Sequence, residues 1–188
     1  KVVFLCGQSN VVGFGDKREM PEPIKPDNVD YYDIGDTLNE NWWGPEAWLM
    51  HNLPAEYDWV IIKCGHNSSA IFQWLDPEVF YVDLVVEVYE ILEAYPSYEM
   101  AAWIWMQGES DAEINNWAYF YYDNLVALAG NIREDFGDEH LPFILTTCTW
   151  WSARNINVLR NGQMYFATTH DTYLVDADDL TKRAPDFV

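Results

Sequence analysis

The feature that most constrains this chain is the alternation of short apolar runs with longer segments of helical period. Residues 2–5, 59–62, 100–105 and 142–147 are short, nearly continuous apolar runs, and residues 173–175 form a fifth, weaker one. A run of this length without polar alternation is what a strand covered on both faces requires. Between the runs, Val79, Leu84, Val85, Val88, Ile91 and Leu92 follow a spacing near 3.6 within residues 77–95, and Pro77 suits a first helical turn. Phe120, Leu125, Leu128, Ile132 and Phe136 do the same within residues 117–136, and shorter helices are expected over 45–53 and 153–167. Strands alternating with helices build βαβ units, and hence a parallel sheet with helices on both faces. The expectation is one α/β domain over residues 1–188, with a parallel sheet of about five strands.

Sheets of this kind bind ligands beyond the carboxyl ends of their strands. Gly7-Gln8-Ser9-Asn10 follows the first run, Gly65-His66-Asn67-Ser68 the second, and Gln107-Gly108-Glu109-Ser110-Asp111 the third. Three polar motifs are therefore expected to converge on one edge. Residues 16–32, with Pro21, Pro23 and Pro26, read as a long loop overhanging that edge. A serine hydroxyl just beyond a buried strand, flanked by Gly7, can sit on a sharp turn at a helix start, where backbone amides stabilise an oxyanion. A plain helix N-cap accounts for Ser9 and Asn10 equally well. The segment is not a Gly-x-Ser-x-Gly elbow, because Val11 occupies the last place.

Composition narrows the partners. Lys and Arg number 10 against 31 Asp and Glu, a formal charge of -21 that repels nucleic-acid phosphates and anionic membranes. Solubility is the simple account of that charge. No apolar run approaches the roughly 18 residues of a membrane span. Cys6, Cys64 and Cys148 are odd in number and lack CxxC spacing, so they read as buried small hydrophobes near one sheet edge. Asp176-Ala177-Asp178-Asp179 lacks the Gly and Glu of a calcium loop, whose places hold Thr181 and Phe187. There is no phosphate loop, dinucleotide fingerprint or His-Glu-x-x-His, and no metal or cofactor is expected. The chain enters a strand directly after Lys1, and both ends read as trimmed from something longer; the compartment is left open.

Gly7-Gln8-Ser9-Asn10-Val11-Val12-Gly13 resembles the opening block of the sialic-acid O-acetylesterase-like branch of the SGNH hydrolases, carbohydrate esterase family 6, which usually reads Gly-Gln-Ser-Asn-Met-x-Gly. The resemblance continues through Trp105-Met106-Gln107-Gly108-Glu109-Ser110-Asp111, where the family has Trp-x-Gln-Gly-Glu-x-Asp, then Ile132-Arg133, Leu141-Pro142-Phe143, Val175-Asp176 and Asp186. It implies a three-layer α/β/α sandwich with a flavodoxin-like sheet, the SGNH hydrolase fold. It also implies a hydrolase that removes O-acetyl groups, with acetylated carbohydrate or another small ester as substrate.

The family further implies roles for individual residues. Ser9 is the expected nucleophile, and the oxyanion hole is expected from the amide of Ser9, a backbone donor at Gly65 or His66, and the side chain of Gln107. Asn10, Asn67, Glu109 and Asp111 are expected as supports. Glu109 and Asp111 also admit a glycosidase reading, but both lie in one loop rather than across a sugar. Two departures stand out. Gly65-His66-Asn67-Ser68 replaces the usual Gly-Gly-Thr-Ser, while Trp74 keeps its family place. Asp186-Phe187-Val188 matches the first three positions of the family's Asp-x-x-His, so Asp186 is the expected orienting acid and the base is expected directly after Val188. Without it the chain is expected to be impaired. His66 is the alternative base; His51, His140 and His170 lie in less suitable places. Trp74, Trp150 and Trp151 are candidates for stacking on a sugar ring, with core packing as the competing account. A non-catalytic carbohydrate-binding or structural module that keeps the fold, and an esterase acting on lipid, are the alternative functions.

Overall fold

A computed structural model describes residues 1–13, 15–16, 26–36, 42–148, 154–170 and 172–177. Strands β1 (Val2–Gly7), β3 (Val29–Asp33), β5 (Trp59–Gly65), β6 (Met100–Met106), β7 (Phe143–Thr146) and β8 (Tyr173–Val175) form one parallel sheet in the order β3-β5-β1-β6-β7-β8. Two short strands, β2 (Gly15–Asp16) and β4 (Trp42–Trp43), pair antiparallel beside it. The helices are α1 (Ser9–Val12), α2 (Glu46–Asn52), α3 (Val79–Leu92), α4 (Glu109–Glu113), α5 (Asn115–Asp135) and α6 (Ile156–Thr169), with a 3-10 turn at Ile71–Trp74.

The central strands β1 and β5 are buried at every position, as their unbroken apolar runs require. One face of the sheet (Val2, Phe4, Val60, Ile62, Trp103, Trp105) packs against Leu84 and Val88 of α3, Leu125, Leu128 and Ile132 of α5, and Leu159 and Phe166 of α6. The opposite face, with Val3, Val29, Trp59 and Ile61, packs against Met50 of α2. From β1 the chain crosses to the edge strand β3, steps back to β5, and then passes over β1 to β6, β7 and β8. The step away from β1 and the later steps run in opposite directions, and right-handed crossovers put connections of opposite direction on opposite faces. The reversal leaves a crevice at the carboxyl ends of β1 and β6, where such sheets take their ligands.

The sheet has six strands rather than about five. The sixth, β3, lies within the stretch expected to be loop, after Pro26. It is an edge strand paired only with β5, and of its five residues only Val29 is fully buried. Its Val-Asp-Tyr-Tyr-Asp sequence carries no continuous apolar run, so the criterion that found the others misses it.

Candidate active site

The three polar motifs meet at the crevice. Gly7 pairs in register with Gly65 on one side and Met106 on the other, so the segments leaving β1, β5 and β6 start side by side. A side chain at Gly7 is excluded, because its Cβ would lie 2.0 Å from the Met106 carbonyl oxygen. Gln8 fastens the first motif to the third: its Oε1 accepts from Gln107 Nε2 at 3.2 Å, Gly108 N at 3.4 Å and Ser110 N at 3.3 Å. Asn10 Nδ2 donates to Glu109 Oε1 at 2.7 Å.

Ser9 opens α1 and is half-buried. Gln8 is the residue before the helix and makes no side-chain cap, so the capping account of this segment is not what the geometry shows. Val11 and Val12 donate back to the Gln8 carbonyl and Gly13 N to the Ser9 carbonyl, while among the described residues the amides of Ser9 and Asn10 donate to nothing. These are the orphan donors of a helix start.

Gln107 occupies a different place from the one expected. It is 1% exposed, and its Nε2 faces Asp111 Oδ2 at 2.5 Å, Ser69 O at 2.8 Å and Gln8 Oε1 at 3.2 Å. Three acceptors fix the orientation of the carboxamide and engage both of its N–H bonds. The amide expected to face substrate is thus taken up by partners inside the protein. The backbone donor expected from His66 is also committed, since its N–H donates to Gly7 O at 2.9 Å. Gly65 is enclosed between Gly35, Val11 and Val12, where a Cβ would meet Val12 N at 2.8 Å. Asn67 stays exposed, its N–H donating to Asp36 Oδ2.

Asp111 is 0% exposed and accepts from Gln107 and from Ile71 N at 3.0 Å. Desolvation outweighs those bonds and pushes its carboxyl up to about 6. Burial likewise raises Glu109, against the opposing bonds from Asn10 and Cys148. The His66 ring stacks on Phe80 at 4.1 Å, with Nδ1 3.2 Å from Asp36 Oδ1 and Nε2 3.7 Å from Cys64 Sγ. Both ring nitrogens are thus engaged, by Asp36 and by Cys64. His140 is exposed, and His170 stacks on Phe166 beyond the end of α6.

Trp74 is not a stacking platform. It is 0% exposed, edge-on to Trp105 at 5.2 Å, with its indole N–H donating to Ser69 Oγ at 3.0 Å. The 3-10 turn draws the ring under the third motif, where burying so large an apolar area is favoured. Asp186, Trp150 and Trp151 lie outside the described residues. The cysteines are buried thiols, and Cys6 and Cys64 are register neighbours on β1 and β5. Among the described residues no three His, Cys, Asp or Glu side chains are grouped to hold a metal ion, and no helix is long and apolar enough to cross a membrane.

Sequence reasoning missed Gln8, whose side chain joins motifs 99 residues apart, and Lys63, buried beneath α1. The signal for Lys63 was present: a lysine extending an apolar strand run must find buried partners.

A six-stranded parallel sheet flanked by helices, with a serine turn at its reversal point, defines an SGNH-like three-layer hydrolase fold. A family model described as carbohydrate esterase, sialic acid-specific acetylesterase matches residues 43–187, and the chain belongs to that family. Solved structures share the fold. A protein from Arabidopsis thaliana aligns with TM-score 0.81 and 21% identity, covering 97% of this chain and 87% of its own. NanS aligns with TM-score 0.75 and 16% identity, over 97% and 79% of the two chains. A carbohydrate acetylesterase from Xanthomonas citri aligns with TM-score 0.69 and 16% identity, over 97% and 51%. No curated protein sequence gives a significant match.

Proposed function

We propose that this chain is a serine O-acetylesterase acting on acetylated carbohydrate through an acyl-Ser9 intermediate. The observation that carries the reading is the half-buried Ser9 at the sheet's reversal point, with the amides of Ser9 and Asn10 unpartnered among the described residues. In the proposed reaction Ser9 Oγ attacks the acetyl carbonyl carbon and its proton passes to a base oriented by Asp186. The two free amides receive the negative charge that develops on the carbonyl oxygen. The sugar oxygen leaves with the proton, and water then cleaves the acyl-serine to release acetate. Donors of this kind are each worth about 2.7–4 kcal/mol in the transition state. Family membership supports the acetylated sugar as substrate.

Glu109 holds Asn10, and Gln107 and Asp111 hold the loop that carries Glu109. Their part is to fix the donors rather than to exchange protons with substrate. One observation favours a second reading, a carbohydrate-binding module that keeps the fold without the chemistry: His66, directly after β5, has both ring nitrogens engaged by Asp36 and Cys64. The two readings separate in one assay of the full-length protein, acetate release from an aryl acetate and from an acetylated oligosaccharide. The esterase reading expects turnover that Ser9→Ala reduces at least about 10³-fold. Equal rates for parent and Ser9→Ala would refute it.

A further inference from the structure

Lys63 lies near the carboxyl end of β5, on the face of the sheet that α2 covers, and its side chain is 4% exposed. Its ammonium sits directly beneath α1. Nζ lies 3.0 Å from the Val12 carbonyl oxygen, 3.0 Å from Asp33 Oδ2 and 3.4 Å from Glu46 Oε1. The ammonium therefore makes a hydrogen bond to α1 and ion pairs to β3 and α2. Glu46 Oε1 also accepts from Gly44 N at 3.0 Å, and Gly44 is pressed against the backbone of α1, where a Cβ would lie 2.7 Å from Val11 O. Tyr31 OH donates to Asp33 Oδ2 at 3.0 Å.

We infer that Lys63 is a positioning residue for the nucleophile, a role that rests on the reading of Ser9 given above. A helix of one turn cannot hold its own orientation, since it lacks the cooperative hydrogen bonds of a longer one. What fixes α1 is its packing on β5 and the charge-assisted bond from Lys63 to its last carbonyl. A cation at the carboxyl end of a helix also reinforces the dipoles whose positive ends are the Ser9 and Asn10 amides. Asp33 and Glu46 make the buried ammonium tolerable and set its place between three elements. The lysine thus transmits the rigidity of the sheet to Ser9 without touching substrate.

A merely structural ion pair would also destabilise the protein when cut, so stability alone does not decide. The test compares Lys63→Met with the charge-balanced pair Lys63→Met/Glu46→Gln in the full-length protein, using aryl acetate kinetics and thermal unfolding. Lys63→Met is expected to lose both stability and kcat. The double variant is expected to regain most of the lost Tm, because no charged Glu46 is left without its partner, yet to stay about 10- to 100-fold low in kcat with KM within about twofold of the parent. A double variant that recovers parental kcat together with Tm overturns the inference, as does one that fails to fold, which assigns Lys63 to stability. Ser9→Ala run alongside separates the two claims. If Ser9→Ala is as active as the parent, the nucleophile reading falls and this one with it. If Ser9→Ala is inactive and the double variant is fully active, the Lys63 role alone is overturned.

Discussion

Replacing Asp111 with Asn tests whether the loop after β6 is held by a carboxylate kept in an unfavourable place. Asp111 is fully buried and its carboxyl is pushed up to about 6 from an ordinary 3.8, chiefly by desolvation. A carboxyl raised on folding binds its proton more tightly in the native state, so the stability it contributes is fully present below pH 3.8 and lost as pH rises through 6. A shift from 3.8 to about 6, at about 1.4 kcal/mol per pH unit, makes that loss about 3 kcal/mol. Asparagine retains an oxygen to accept from Gln107 and Ile71 but carries no charge, so Asp111→Asn removes this pH dependence. For a chain of this length about 3 kcal/mol corresponds to roughly 6–12 °C in Tm. The assay is thermal unfolding of parent and variant at pH 7.5 and pH 5. Because the unfolded carboxyl is still mostly ionised at pH 5, the parent's Tm relative to the variant's is expected to rise by about half that amount, roughly 3–6 °C, on going to the lower pH. The difference between the proteins matters because other carboxylates, Glu109 among them, titrate in both. A constant difference between the two pH values refutes the account of Asp111, and a rise in the variant's favour reverses its sign.

Two further substitutions probe the frame of the site. Trp74→Phe is expected to lower stability by about 2–3 kcal/mol, from lost buried area and the lost bond to Ser69, while KM for an acetylated oligosaccharide stays within about twofold. A large rise in KM at unchanged Tm returns Trp74 to the role of sugar platform. Gly7→Ala is expected to cost more than about 4 kcal/mol and give little soluble protein, because φ is 153° and the added Cβ would lie 2.0 Å from the Met106 carbonyl oxygen. A soluble Gly7→Ala variant with parental Tm contradicts the close approach of β1 and β6 at that point.

The sequence carried the sheet further than it carried the site. Strands covered on both faces announce themselves, as β1 and β5 do, and β6 and β7 carry nearly unbroken apolar runs; β8 was legible as a short Tyr-Leu-Val run although it is an exposed edge strand, while β3, reading Val-Asp-Tyr-Tyr-Asp, carries no apolar run at all. The convergence of the motifs at Ser9, Gly65 and Gln107 was legible because parallel topology brings strand ends together. The direction each side chain takes there was not. Gln107 reads as a donor until Ser69 and Gln8, distant in sequence, take its N–H bonds. His66 likewise reads as a base until Asp36 and Cys64 occupy its ring. Trp74 keeps its place in the motif but is turned inward by the short 3-10 helix. Each of these depends on contacts between segments that no local pattern encodes.

The central claim is that Ser9 forms the covalent intermediate. It is tested most directly by treating the full-length protein with an aryl fluorophosphonate, an acyl-transfer mimic, and locating the adduct by peptide mass spectrometry. The account predicts one equivalent of label on the peptide carrying Ser9, none in Ser9→Ala, and loss of acetate release in step with labelling. Label on another residue accompanied by loss of activity, or full activity retained after Ser9 is labelled, would contradict it.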